Sequence, residues 1–519
     1  MRHLSDRAAD RLTLAVILGV GLSHLCFILL DQRLPRDLGL YYKELPALFE
    51  ALQAGRLPME AMTRPGGWLN LLTAVTLFVA GRSGEVFRLL DLGWLLLLLG
   101  ATAGVARRVA GPRAALLATA MTASAPMVYV SARMAWIHVP EAALSLGLLY
   151  LMLQPPTRMG AAAMTLCGAL VISLRPSGVM WLAPLVAFIV AQSFLRQRPL
   201  RGVFPMLLAW GLSLLVPLSQ LRPYLQAKLD ARPRYAALLP GLGDQLLSGF
   251  GVWVLPLIAL GVVGLLSRDR ARLGGPLAAV LGAWIALPLL AWAVSQAGVD
   301  NFTAMVPAAA LLAGVGLAAR FPWMTVPILL VLASLHAWPW VPPEVLERAR
   351  GLRRIPGMPQ VMSQPHVLNY RRAFTGDEAR VQLALIDAAC ATRMCFVVVD
   401  GGLFFPHAED PGRLELFLAG YDHVLLHNPR REPPRRLPPD AIARWTCEAR
   451  PERPELPAPG GGPMEQHTRG LTPVWSGWLD WCRLDWYVPD GVLEDPDALP
   501  PPIPPQRRLE VQHPLIPSG

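Results

Sequence analysis

Long apolar runs separated by short polar segments fill the first two thirds of the chain. Many of these runs are about 17 to 25 residues long, the length of a helix that crosses a bilayer. The candidate spans are 12–30, 86–106, 114–131, 138–153, 159–174, 179–195, 203–220, 247–266, 274–295, 303–319 and 322–340. The pattern therefore predicts a polytopic α-helical membrane protein with about eleven transmembrane helices.

Two apolar segments between the first and second spans have a different pattern. Residues 68–81 are too short to cross, at about 14 residues. Residues 38–52 carry one apolar stripe at helical spacing, with charged residues off the stripe. The stripe consists of Leu38, Tyr41, Tyr42, Leu45, Leu48, Phe49 and Leu52. We interpret both segments as interfacial helices in the headgroup plane, within a first outer loop over 31–85.

The composition changes after residue 340. Residues 377–402 have the pattern of a helix followed by a β-strand at 396–399, and 414–429 repeats helix then strand. This predicts a small α/β domain over 341–519, with a Pro-rich tail from about residue 488. The aromatic segment 475–487 could stack on a sugar, but such a cluster more often forms a core or a surface that rests on the membrane.

The distribution of charged residues among the loops predicts the membrane topology. The chain is 53% hydrophobic and 16% charged, with a formal net charge of +10. The arginines lie in alternate short loops such as 107–113, 196–201 and 267–272, whereas acidic residues lie in the opposite loops. By the positive-inside rule, the N-terminus is cytoplasmic and 341–519 is extracytoplasmic. We therefore expect a multi-pass protein of a bacterial inner membrane whose N-terminal span is not cleaved, and no nucleic-acid partner.

The six cysteines divide between the two regions. Cys26 and Cys167 fall in apolar spans and are expected to be buried thiols. The other four are Cys390, Cys395, Cys447 and Cys482. Two disulfides would fit an extracytoplasmic domain, and whether Cys390 pairs with Cys395 and Cys447 with Cys482 stays open.

Residues 12–340 resemble the GT-C class of polyprenyl-phosphate-dependent glycosyltransferases, which includes protein mannosyltransferases and lipid A aminoarabinose transferases. In that class an acidic residue follows the first span, then an amphipathic helix, a basic Pro-Pro segment and an apolar interfacial helix. Here "PRDLGLYYKELPALFEAL" and "TRPGGWLNLLTAVTLF" resemble those parts, and 84–149, 174–185 and 300–318 resemble later spans. The chain departs from the pattern with Leu38 after Asp37, with Arg64-Pro65-Gly66, and around Asn301.

The resemblance implies a GT-C fold and transfer of a hexosyl or pentosyl group from a polyprenyl-phosphate sugar to an extracytoplasmic lipid, glycan or protein. It makes Asp37 the candidate base and Glu141 the accessory acid. The expected substrate-binding residues are Arg133, Arg175, Arg222, Arg64 and Tyr41. A single base acting by direct displacement implies inversion at the anomeric carbon. No cofactor is assigned; His138 beside Glu141 leaves a divalent metal open.

Each candidate has a simpler explanation. Asp37 could serve as a helix cap, and Glu141 as a helix N-terminal acid favoured by the helix dipole. A lone His138 is usually structural. Arg175 and Arg222 face outward against the positive-inside trend, so each needs a partner: a lipid phosphate, phospholipid headgroups or a carboxylate. Asp31 is the rival of Asp37 as base.

Two other functions remain open at this level. A secondary transporter would need ionisable residues deep in several spans and paired broken helices, whereas the charges here cluster at outer ends. A non-catalytic scaffold or assembly protein could keep the fold without chemistry.

Overall fold

The computed structural model describes part of the chain with residue-level detail. The described residues are 5–30, 42, 44–57, 66–133, 137–155, 157–175, 178–194, 200–214, 246, 250, 254–265, 275–295, 303–330, 383–389, 395–399, 416–418, 420–421, 424–427, 442–446, 472–479 and 482–488. The fold is described from these residues.

The helices lie where the apolar runs predict them. In chain order they are α1 (Asp6–Leu30), α2 (Leu45–Gln53), α3 (Gly67–Ala80), α4 (Gly84–Ala110), α5 (Pro112–Ser124), α6 (Pro126–Arg133), α7 (His138–Met152), α8 (Arg158–Leu174), α9 (Gly178–Phe194), α10 (Leu200–Ser213), α11 (Val254–Leu265), α12 (Gly275–Ser295) and α13 (Met305–Arg320). Local signals set several boundaries: the Ser83 hydroxyl accepts a hydrogen bond from the backbone of Val86 (3.2 Å) and caps α4.

The structure divides one predicted span. The single helix expected over 114–131 is two helices, α5 and α6, that meet at Ala125. Ala125 is extended (φ −70°, ψ 122°) because Pro126 excludes the helical conformation from the residue before it. The expectation of one continuous helix was therefore wrong at this proline.

Length and composition identify two membrane-crossing helices among the described residues, Asp6–Cys26 and Gly84–Ala110. A third crossing is added if Met305–Arg320 and Pro322–Leu330, bent by 118°, are one span. Several shorter apolar helices of 10–17 residues accompany them. The full number of crossings stays a prediction.

The outer surface of α1 is apolar. Leu14, Leu18, Leu22 and Leu29 are each more than half exposed. The first three lie four residues apart and form one stripe along the helix. Such a surface would be unfavourable in water, and it fits contact with lipid chains.

Some buried hydroxyl groups in the bundle bond within their own helices. Thr73 donates to the carbonyl of Leu69 (2.8 Å), and Thr102 donates to the carbonyl of Leu98 (2.8 Å). A hydroxyl group that has no water nearby must find its acceptor in the protein. These bonds let polar residues lie inside an apolar bundle.

Ion pairs mark one end of the bundle. Arg107 Nη2 lies 2.9 Å from Asp10 Oδ2, and Arg113 Nε lies 4.0 Å from Asp6 Oδ1. These pairs are largely exposed, so each stabilises the fold by at most about 1 kcal/mol. They place the beginning of α1 beside the α4–α5 turn, at the arginine-rich end of the helices.

Helices α2 and α3, which lie between α1 and α4 in the sequence, pack on each other. The apolar stripe predicted for 38–52 faces the protein, since Tyr42, Leu45 and Leu48 are at most 1% exposed. Whether this helix also lies in the headgroup plane stays a prediction. Residues 38–41 lie outside the described residues.

A five-stranded mixed sheet follows the bundle in sequence. Its strands are β1 (Cys395–Val399), β2 (Val424–His427), β3 (Ile442–Thr446), β4 (Thr472–Leu479) and β5 (Cys482–Val488). The order is β2-β1-β3-β5-β4, with β1 parallel to β2 and β3, and β5 antiparallel to β3 and β4. Described helical residues at 383–389 and 416–418 precede β1 and β2. The strand predicted at 396–399 is confirmed, and the two helix-then-strand units supply the parallel pair β1 and β2.

Close helix packing at glycine leads to a stability prediction. A Cβ atom on Gly316 of α13 would overlap the carbonyl of Gly261 on α11. We expect Gly316→Ala to destabilise the bundle by about 1–3 kcal/mol, because backbone would have to move. Thermal unfolding in detergent measures this effect.

Gly282 of α12 supplies the matched control, since a Cβ atom there meets nothing within 4 Å. Gly282→Ala should keep or raise the unfolding temperature, because alanine favours a helix over glycine by about 1 kcal/mol. Equal unfolding temperatures for the two variants would contradict the close packing of α11 and α13.

Candidate functional site

The site begins at the N-terminus of α7. His138 and Glu141 lie three residues apart in the first turn, so their side chains share one face. Pro140 fits there because first-turn N–H groups have no partner within the helix. Both ionisable side chains are almost fully buried, at 1% and 2% exposure. Buried ionisable groups of this kind at a helix end need a charged or hydrogen-bonding partner.

Arg175 supplies that partner from the end of α8. It is the residue after the last helical turn and is extended (φ −164°, ψ 158°). The backbone N–H of Gly178 donates to the Arg175 carbonyl (2.9 Å) and closes the turn into α9. A Cβ atom on Gly178 would overlap the carbonyl of Val171. The small residue therefore lets α9 begin close to α8, and this turn holds Arg175 in place.

The three side chains form one cluster. Arg175 Nη1 lies 2.7 Å from His138 Nδ1 and 3.9 Å from Glu141 Oε2. His138 Nδ1 lies 3.8 Å from the same carboxylate oxygen. Glu141 and Arg175 are both predicted site residues, and the structure brings them together through His138.

The guanidinium group of Arg175 faces the ring of His138. It can only donate, so a ring nitrogen of His138 accepts from it. Nδ1 is the nearer ring nitrogen at 2.7 Å, whereas Nε2 lies 3.4 Å from the same Nη1, and the tautomer of the ring sets which of the two accepts. A guanidinium group has five N–H donors in a planar fork, enough to hold the ring and reach a phosphate oxygen.

The first outer loop contacts the helix end that bears Arg175. The Gly66 N–H donates to the Ser173 carbonyl (2.8 Å), two residues before Arg175. Asn70 Nδ2 donates to the Gly66 carbonyl (2.8 Å) across the first turn of α3. Gly66 has φ +77°, in the left-handed region that favours glycine. The glycine after Arg64-Pro65 thus lets the chain bend onto the end of α8.

A second contact joins the end of α6 to the beginning of α13. The hydroxyl groups of Ser131 and Thr303 lie 2.9 Å apart, and both residues are fully buried. Ser131 lies two residues before Arg133, and Thr303 lies two residues before α13. The contact brings the segment that bears Arg133 to the late span, a proximity that no sequence signal indicated.

Another buried group lies at the beginning of α4, and the sequence analysis did not single it out. Arg88 and Asp91 are 4% and 5% exposed, and Tyr42 packs edge-on against Phe87 with ring centroids 4.9 Å apart. Burial, and secondly the charge of Asp91, raise the pKa of Tyr42 well above its usual range. The sequence signal for this group was the presence of two ionisable residues, Arg88 and Asp91, inside an apolar run.

Several predicted residues cannot be placed. Asp37, Tyr41, Arg64 and Arg222 lie outside the described residues, and of Arg133 only the backbone, in α6, is described. Their roles stay predictions. Among the described residues, no group of three or more His, Cys, Asp or Glu side chains could hold a metal ion.

The cysteines and the aromatic segment 475–487 are partly described. Cys26 and Cys167 are free and half-buried. Cys395 and Cys482 lie in strands that are not neighbours, whereas Cys390 and Cys447 fall outside the described residues, so the disulfides stay untested. Trp475 and Trp486 are buried at 6% and 1% exposure. For these two rings the core interpretation is confirmed.

These features define a multi-pass helical membrane protein with an ionic cluster at the end of the bundle where α7 begins and α8 ends. No protein-family model matches the sequence, and no curated protein matches it. Among solved structures, ArnT from Cupriavidus metallidurans in the apo state is similar, with a TM-score of 0.53 and 16% identity over 93% of this chain and 99% of that chain.

ArnT from the same organism bound to undecaprenyl phosphate is similar over the same shares, with a TM-score of 0.54 and 17% identity. The archaeal oligosaccharyltransferase AglB from Archaeoglobus fulgidus, in complex with an inhibitory peptide and a dolichol-phosphate, matches with a TM-score of 0.45 and 13% identity over 72% of this chain and 57% of that chain. ArnT is a GT-C glycosyltransferase. The chain therefore has the GT-C fold, as the resemblance implies.

Proposed function

We propose that this protein is an inverting glycosyltransferase that moves a sugar from a polyprenyl-phosphate donor to an acceptor outside the cytoplasm. The observation that carries the proposal is the buried cluster of Arg175, His138 and Glu141. The GT-C fold supports it, and so does the ArnT structure with undecaprenyl phosphate, a lipid of the class that the proposed reaction releases.

The proposed reaction needs a base and a cation. Asp37 takes the proton from an acceptor hydroxyl as the acceptor oxygen attacks the anomeric carbon. The bond between that carbon and the phosphate oxygen breaks, and the phosphate leaves with the electron pair. The proton ends on Asp37, and attack opposite the leaving group inverts the anomeric configuration.

Arg175 is proposed to stabilise the leaving phosphate. The contact to His138 Nδ1 orients the guanidinium plane, and Glu141 lies close enough to stabilise its charge. A preoriented cation is effective because it does not have to reorganise as the charge develops. Arg133, Arg222, Arg64 and Tyr41 are proposed as further substrate contacts. Glu141 then supports the site without touching the reacting proton.

The proposed orientation follows from the ends of the helices. The Arg107–Asp10 and Arg113–Asp6 pairs lie at the arginine-rich end, which the positive-inside rule assigns to the cytoplasm. The Arg175 cluster lies where α7 begins and α8 ends, the opposite end. Transfer there would use a lipid-linked donor, because nucleotide sugars are not supplied outside the cytoplasm.

A labelled donor panel tests the proposal. Purified protein in lipid nanodiscs is incubated with a set of polyprenyl-phosphate sugars and an extract of cell-envelope acceptors. We expect release of polyprenyl phosphate and a labelled product of inverted configuration, measured by chromatography and NMR. Nucleotide sugars serve as the control and should give no product.

Three results would contradict the proposal. Transfer from nucleotide sugars alone would exclude the lipid donor, and uptake without cleavage in proteoliposomes would indicate a transporter. Absence of cleavage for every donor tested, with the folded protein present, would favour a scaffold.

A further inference from the structure

A buried contact joins the sheet region to the first outer loop. The guanidinium carbon of Arg82 lies 5.6 Å from the ring centroid of Phe49 and 5.0 Å from that of Phe417. The two rings also touch edge-on, with centroids 5.4 Å apart. Phe49 belongs to α2, Arg82 to the α3–α4 connection and Phe417 to the short helix before β2. We name these three residues the Arg82 clasp.

The sheet side of the clasp is rigidly built. The N–H of Gly420 donates to the carbonyl of Phe417 (3.1 Å), and the N–H of Tyr421 donates to that of Leu416 (2.9 Å). These bonds form a Schellman motif, with Gly420 at φ +90°. A Cβ atom on Gly420 would lie 3.6 Å from Arg82 Nη2, so the guanidinium lies against this turn.

Tyr421 extends the rigid turn into the sheet region. Its hydroxyl donates to Asp387 Oδ2 (2.8 Å) in the helix that precedes β1. Burial, this hydrogen bond and the charge of Asp387 raise the pKa of Tyr421 above its usual range. The C-terminal end of the short helix bearing Phe417 is thus attached to the helix that precedes β1.

The two aromatic rings of the clasp belong to the bundle core, whereas Arg82 is half-buried. Phe49 and Phe417 are each 5% exposed, and Phe417 and Leu418 pack into the same apolar cluster as the membrane helices. Leu385, Val397 and Val398 are buried in the sheet region and do not join that cluster. The short helix at 416–418 therefore packs against the bundle beside α2.

We propose that the Arg82 clasp makes the sheet region a positioning element for α2, and through it for the segment that carries Asp37. Helix α2 begins eight residues after Asp37 in the sequence. A cation that contacts two rings which also contact each other resists sliding of either ring, because all three contacts depend on distance and orientation. The residues are positioning residues. The effect on transfer rests on the proposed function, whereas the coupling of the two regions does not.

Hydrogen exchange and kinetics of Phe417→Ala test the clasp in the full chain. We expect amides of 45–53 to exchange about tenfold faster than in the unchanged protein, since a local packing contact is lost. Transfer should slow about tenfold in kcat, with the donor KM within about twofold, because Asp37 is displaced while the phosphate contact remains. Arg82→Gln should act in the same direction, and Arg82→Lys, which keeps a cation, should restore part of both effects.

Leu418→Ala is the matched control. Leu418 lies in the same short helix and is 3% exposed, but its loss leaves the clasp intact. We expect this variant to lower the unfolding temperature without faster exchange at 45–53. Unchanged exchange at 45–53 in Phe417→Ala would overturn the coupling. Equally fast exchange at 45–53 in Phe417→Ala and Leu418→Ala would overturn the specific role of the clasp, because any lost packing contact of the short helix would then have the same effect. If no donor is cleaved by the unchanged protein, the proposed function fails while the exchange result still decides the clasp.

Discussion

Asp37→Asn is expected to lower the rate of sugar transfer by about 10²- to 10⁴-fold, the usual contribution of a general base. Asparagine keeps the size and the capping ability of aspartate but cannot take a proton at neutral pH. Expression, membrane insertion and thermal unfolding should stay unchanged. The rate of polyprenyl phosphate release under saturating donor measures the effect.

Asp31→Asn is the control for this prediction, because Asp31 also follows the first span. We expect it to keep the full rate as an interfacial charge without chemical role. Asp37→Glu should retain part of the activity, since a carboxylate is present at a slightly shifted position. Full activity of Asp37→Asn would remove this residue from the role of base.

Arg175→Gln is expected to act on both activity and stability. The rate of transfer should fall by about 10²- to 10³-fold, the usual cost of removing one preorganised donor from a developing anion. The fold should also lose roughly 3 kcal/mol, because Glu141, 2% exposed, keeps a buried charge without its cation. Donor cleavage and thermal unfolding are measured on the same preparation.

Glu141→Gln combined with Arg175→Gln separates the two effects. The double variant contains neither charge, so its unfolding temperature should recover towards that of the unchanged protein. Its activity should stay low, since the phosphate contact is still missing. Recovery of activity together with stability would show that Arg175 acts only on the fold. Arg175→Lys should keep the stability but only part of the rate, because an ammonium lacks the planar fork.

Two contacts constrain the first outer loop, one beside the ionic cluster and one at the clasp. Gly66 is bonded to the end of α8 beside Arg175, and Phe49 is held by Arg82 and Phe417. The loop that contains the proposed base is therefore bonded to the bundle on one side and to the sheet region on the other.

The sequence by itself determined the helical framework, because periodicity and run length are local properties. The bounds of α3, α7, α8 and α9 agree with the apolar runs to within about two residues. The break at Ala125 was also local, since Pro126 imposes it, but it was missed when run length alone was weighed. The sheet strands β3 to β5 were missed, and the segment 475–487 that contains most of β4 and β5 lacks a strict alternation of apolar and polar residues.

Only the tertiary structure decided which residues meet. Glu141 and Arg175 lie in different helices, and their link through His138 depends on how closely α7 and α8 pack. Ser131 meets Thr303 across 172 positions of sequence, and Phe417 meets Phe49 across a greater separation still. Such contacts follow from helix order, close approaches at glycine and the free energy of burying apolar surface. A linear pattern records a residue's own preference for burial, and it contains no information on which distant residue it will be buried against.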